Sequence, residues 1–184
     1  MNRICFDKFF LTTILFVVNV SISWGQTDIT SLSDITADPT GSYRLTSDVS
    51  GSGHTSIATF SGTLEAAIDP TTKMPYRITD LDAPLFTTLT GTVKNLVLED
   101  VSISGNTGNT GAIAATAEGA ARIYNIGILS GSVGGTAYTG GLVGLLDGTA
   151  RVINCYSFAD ITSGTNVGGI VGYNNQTTTS ANNN

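Results

Sequence analysis

The residue types that could do chemistry are few and scattered. His54 is the only imidazole among 184 residues, set in the loop-like run Gly51-Ser52-Gly53-His54. No second His and no acid close in sequence accompanies it, so neither a zinc set nor a Ser-His-Asp triad can be built from spacing. It reads as a loop histidine. Asp80 and Asp82 stand two apart; on a strand they would face the same way and could begin a Ca²⁺ site. Asp147 and Asp160 read as isolated turn residues. The run Gly105-Asn-Thr-Gly-Asn-Thr-Gly111 is glycine-rich, but no Lys follows it and no helix opens after it. It is a turn between strands, not a phosphate cradle. Tyr124, Tyr138, Tyr156 and Tyr173 form no periodic stripe for stacking sugars. No catalytic residue, metal ligand or cofactor contact is assigned.

The composition says what must position these residues. Only 12% of the chain is charged, against about 25% in a typical soluble domain, while 41% is hydrophobic. Gly occurs 22 times, Thr 28, Ser 17 and Asn 13, a strand-and-turn composition with little in it for long helices. The net charge of −6, with 8 basic and 14 acidic residues, argues against nucleic acid as a partner, since that needs a basic stripe. One His and two Cys exclude a zinc finger and a multi-disulfide scaffold.

The first 25 residues differ from the rest. Arg3 and Lys8 precede an apolar run from Phe9 to about Val20, and the small residues Ser23 and Gly25 follow. This is the layout of a secretory signal peptide cut between Gly25 and Gln26. The apolar run is short of the ~20 residues that span a bilayer, so no membrane span is expected after cleavage. Cleavage removes two basic residues and one acidic, leaving a net charge of −7 and one cysteine, Cys155, which cannot form an internal disulfide. The expected organisation is a signal peptide over 1–25, one domain over 26–175 and a disordered polar tail over 176–184.

The second half repeats itself. The segments 91–105, 119–133 and 148–161 each begin with a small turn and a basic residue (Lys94, Arg122, Arg151). Asn95, Asn125 and Asn154 follow, 30 and 29 residues apart. Each segment leads to a glycine-apolar tetrapeptide: Gly111–Ala114, Gly141–Gly144 and Gly169–Gly172. Short β-rich runs between turn residues, at a period too brief for a propeller blade, indicate a parallel β-helix. Its coils rise ~4.8 Å each. Counting from each Asn, positions −2 (Val93, Ile123, Val152) and +1 (Leu96, Ile126, Cys155) are all buriable, yet on one straight strand they would face opposite ways. The chain therefore bends at the Asn, a residue that tolerates the left-handed conformation such a corner needs. Leu96, Ile126 and Cys155 should stack, and the expected core adds Leu98, Ile113, Ile128, Leu142 and Ile170. The asparagines read as a ladder of amides at a turn rather than a ligand-binding row. The three basic residues read as a solvated outer column able to meet an anionic surface.

These residues resemble a known family. Gly141-Leu142-Val143-Gly144 matches the Gly-Leu-hydrophobic-Gly core of GLUG-motif repeats, and Gly169-Ile170-Val171-Gly172 matches it with Ile for Leu. Gly111-Ala112-Ile113-Ala114 is a degenerate copy. Gly41–Asp48, Phe60–Leu64 and Ala83–Phe86 resemble the run-in of such proteins, extending the likeness over roughly residues 28–175. The resemblance implies an all-β, right-handed parallel β-helix on an exported, mostly bacterial surface protein. It also implies adhesin-like roles in attachment, biofilm or host contact, alongside separate peptidase domains in some members.

The expected function is accordingly a non-catalytic cell-surface module contacting a glycan or a protein. The alternatives are a carbohydrate-active β-helix enzyme such as a polysaccharide lyase, which would need a tighter acidic cluster with a base, and the repeat fragment of a larger exported peptidase. After Tyr173 no capping pattern follows, so the last coil is expected to be an open edge for end-to-end self-association. N-terminal sequencing of secreted protein should start at Gln26; a start at Met1 would contradict the export reading.

Overall fold

The computed structural model describes residues 25–176. The expected signal peptide, except Gly25, and the expected tail, except Gln176, lie outside the described residues. Between them the chain winds as a parallel β-solenoid of about 4 turns. One face stacks Thr27–Ile29, Ser42–Leu45, Thr63–Ala66, Thr92–Glu99, Arg122–Ile128 and Arg151–Ile153 in that order. A second face stacks Ile57–Phe60, Phe86–Leu89, Ala114–Ala117, Val143–Leu146 and Val171–Asn174. A third, of Val101–Asn106, Gly131–Gly135 and Asp160–Ser163, closes the later coils. Neighbouring strands pair in parallel, as expected when each is one coil above the last.

Register puts like on like. Leu64 lies beside Val93, Val93 beside Ile123, and Ile123 beside Val152. On the second face Phe60 and Phe86 stack with centroids 4.5 Å apart and planes 10° from parallel. Each apolar side chain thus covers the one below it, and a continuous core forms with no α-helix among the described residues.

The two ends differ. At the N-terminal end a 3₁₀ helix, Leu32–Ala37, buries Leu32 and Ile35 in the main core. Ser31 starts that helix, its side chain accepting from the Ser33 N–H at 3.2 Å. At the other end no residue from Arg151 to Gln176 is buried. Val152, Cys155 and Ile170 pack against the core from one side only and stay half-buried, while the other eight expected core residues are buried. Gln176 is nonetheless tied down, its amide donating to the Ala150 carbonyl one coil back.

The first glycine tetrapeptide needs a correction of one residue. The tetrapeptides set Gly111 against Gly141, but Ala114 pairs with Val143, so Ala112 lies beside Gly141 and Ile113 beside Leu142. A slip of one would turn Ile113 out of the core, and its burial decides the register. At the motif's last glycine the backbones come close: a Cβ on Gly144 would stand 2.5 Å from the Thr110 nitrogen. Glycine there lets the strand Val143–Leu146 pack closely against the backbone of Thr110 and Tyr138.

Leu96→Ala should cost about 2–5 kcal/mol, because a fully buried leucine leaves a cavity. Ile170→Ala, with one side already open, should cost roughly half as much or less. Equal losses in denaturant melts would contradict the graded core.

Candidate functional site

The outward surface of the first face carries the positions singled out in the sequence. Asn95, Asn125 and Asn154 have φ of 52°, 55° and 50°, each a left-handed residue at a bend in its coil. With the chain bent there, residues on both sides of the Asn point inward. The side chains form a ladder along the axis: Asn125 Nδ2 donates to Asn95 Oδ1 at 2.9 Å, and Asn154 Nδ2 to Asn125 Oδ1 at 2.7 Å. These amides are thereby engaged with one another. A second corner ladder escaped the sequence reading. Ser130 Oγ donates to Asp100 Oδ1 at 2.7 Å, and the Asp100 N–H donates to Ser130 Oγ at 2.9 Å. Asp100 also has positive φ, 54°. Its signal was present in the same separation of 30 residues.

The column of three cations does not exist. Arg122 pairs with Arg151, but Lys94 lies beside Tyr124, because Lys94 precedes its Asn by one residue and the arginines precede theirs by three. Lys94 instead meets Glu65 of the preceding coil at 3.0 Å. Partial burial raises the Glu65 pKa, but bonds from Gln26 and Lys94 outweigh it and hold the carboxyl below its usual range. Arg77–Glu99 and Arg44–Asp28 close further pairs on the same face at 2.7 Å each. In the later coils aromatic and aliphatic groups replace these pairs. Tyr156 lies over Gly127, and Phe158 is 72% exposed.

Asp80 and Asp82 are not on a strand. Arg77–Thr79 ends before them, and Asp80 takes φ 55° in the turn. The Asp82 carboxylate instead accepts from the Gly53 N–H at 2.6 Å and the His54 N–H at 3.2 Å, clamping the loop one coil away. His54 Nε2 lies 3.1 Å from the Leu85 carbonyl oxygen. Among the described residues no group of three or more His, Cys, Asp or Glu is placed to hold a metal ion. Asp160 opens the strand Asp160–Ser163 rather than sitting in a turn, whereas Asp147 accepts from the Gly148 N–H and the Asn175 amide beside a turn. Burial pushes the Cys155 thiol pKa up, which disfavours its thiolate. Tyr138 and Tyr173 stack at 4.6 Å where consecutive coils meet.

A family model described as the M26 IgA1-specific metallo-endopeptidase N-terminal region matches residues 27–130, more than half of the chain. The chain belongs to this family. In this M26 N-terminal-region chain a second model, the GLUG motif, matches residues 135–162. The two matches share one solenoid, since Arg122–Ile128 of the first pairs with Arg151–Ile153 of the second. An immunoglobulin A1 protease of Streptococcus sanguinis is 49% identical over 63 residues, which are 32% of this chain and 3% of that protein. The chain thus matches a small part of that relative's length. No solved structure matches. No helix among the described residues is long and apolar enough to cross a membrane.

Replacing Asn125 should separate the two roles of the ladder. Asn125→Ala loses both amide bonds and strains the left-handed corner, for about 2–3 kcal/mol in total. Asn125→Gly removes the bonds but not the permitted φ, so thermal melts should show roughly half that loss. Equal losses would show that the corner conformation contributes nothing.

Proposed function

We propose that this chain is an exported, non-catalytic β-solenoid module that presents its lateral surface for adhesin-like attachment, in the manner of an N-terminal region of an M26-type endopeptidase. One observation carries the reading: the family match and the GLUG match run through one uninterrupted stack whose outward polar groups are used to hold successive coils together. His54 and Asp82, the groups best suited to acid-base work, are likewise engaged by backbone, as the loop clamp shows. About four coils at ~4.8 Å each give a stiff rise of roughly 20 Å. That suits a spacer or display surface. The exposed Tyr, Phe and Ile side chains of the later coils supply apolar contact area for a host glycan or protein.

The purified chain should bind a member of a glycan array or a host-matrix panel saturably, and should leave immunoglobulin A1 intact. Unsaturated products from pectin or alginate, or cleavage of immunoglobulin A1, would replace this reading with an enzymatic one.

A further inference from the structure

Six arginines and lysines lie among the described residues, and four of them have partners. Arg44 meets Asp28 at 2.7 Å, Arg77 meets Glu99 at 2.7 Å and Lys94 meets Glu65 at 3.0 Å. Lys73 Nζ donates to the Pro70 carbonyl. Arg122 and Arg151 are different. Both are exposed, and neither guanidinium has an ion pair or a hydrogen bond with another described residue. These two unpartnered cations lie side by side, in register on adjacent strands.

Their placement runs against the rest of the same face. The neighbouring outward column runs Asp28, Arg44, Glu65, Lys94, each charge beside its opposite. Arg122 instead has Thr92 on one side and Arg151 on the other. Both of these rungs are described, so Arg122 has no acid in register on either side. The acids nearest in sequence, Glu118 and Asp147, each stand four residues earlier, at the turns that precede the two strands. Asp147 already accepts from the Gly148 N–H and the Asn175 amide. Like charges directly beside each other on neighbouring strands, ~4.8 Å apart, are destabilising. An oxyanion held between two guanidinium groups accepts N–H bonds from both and cancels their repulsion.

Building on the attachment role argued above, we propose that Arg122 and Arg151 together hold the acidic group of a glycan, a carboxylate or a sulfate ester. Two residues further along the same strands, on the same outward face, Tyr124 and Ile153 lie in register with each other. They set an aromatic and an aliphatic surface beside the charge, against which a sugar ring can pack. A long polyanion such as nucleic acid fits poorly. Only these two cations are free among the described residues, and the net charge of −6 repels a run of phosphates. A sugar with a single acidic group matches one pair of guanidinium groups.

Nuclear magnetic resonance titration of the isotope-labelled chain tests it, with sialyllactose, glucuronate and a sulfated galactose as probes and lactose and galactose as neutral controls. The Nε–H signals of Arg122 and Arg151 should shift saturably with the acidic sugars and stay in place with the neutral ones. Preference for the sulfated galactose would identify a sulfate ester, preference for the other two a carboxylate, and either supports the site. Arg122→Gln and Arg151→Gln should each weaken binding at least about tenfold, with a melting temperature unchanged or raised because the repulsion is gone. Lys73→Gln makes the same change of charge at an exposed position and should leave binding intact. Tighter binding of anionic phospholipid vesicles or single-stranded DNA than of the acidic sugars, or an equal loss with Lys73→Gln, would overturn the proposal. Saturable binding of a neutral glycan or a matrix protein that both glutamine variants retain would overturn it and leave the attachment role standing. Binding of no member of any of these panels would remove both.

Discussion

Everything in this molecule depends on keeping successive coils in parallel register. A coil buries its inward side chains only if the coil beneath places an apolar group directly under each one, as Val93, Ile123 and Val152 do. The corner asparagines serve that constraint twice. Their positive φ turns the chain so that residues on both sides point inward, and their amides tie one corner to the next. A glycine at this corner would supply the turn without the tie, and alanine would supply neither.

The same constraint explains which features the sequence displayed and which it hid. Asn95, Asn125 and Asn154 recur at nearly one coil length, so the period, the parallel architecture and the corner could all be read from residue spacing. The glycine tetrapeptides misled by one residue. Gly111 looks like the start of a motif, yet the pairing of Ala114 with Val143 places it a step earlier, and only the buried position of Ile113 reveals this. Lys94 matches Arg122 and Arg151 in type, but its distance from the corner differs by two residues and its partner, Glu65, lies on another coil. Pairings between coils depend on coil length, and the early coils are irregular: Tyr43 pairs with Leu64, only 21 residues on, and Leu64 with Val93, 29 residues on. The Asp82 clamp spans 29 and 28 residues, close to one coil, but its donors are the backbone N–H groups of Gly53 and His54, which no residue type marks in the sequence.

A one-dimensional stack distributes its stability unevenly. Among the described residues, interior coils have two neighbours and the coil Arg151–Gln176 has one, so exposure rises from none at Ile126 to a coil in which none of the described residues is buried. The surface changes in parallel. Early coils carry ion pairs such as Arg77–Glu99, while later ones carry Tyr156 and Phe158.

The central claim is that equivalent residues one coil apart touch through parallel in-register strands. Methyl-to-methyl nuclear Overhauser contacts measure this directly. Strong contacts should link Ile126 with Leu96, Ile123 with Val93, and Leu142 with Ile113. Contacts instead between residues close in sequence on antiparallel hairpins, such as Leu98 with Val101, without those long-range partners, would contradict the solenoid.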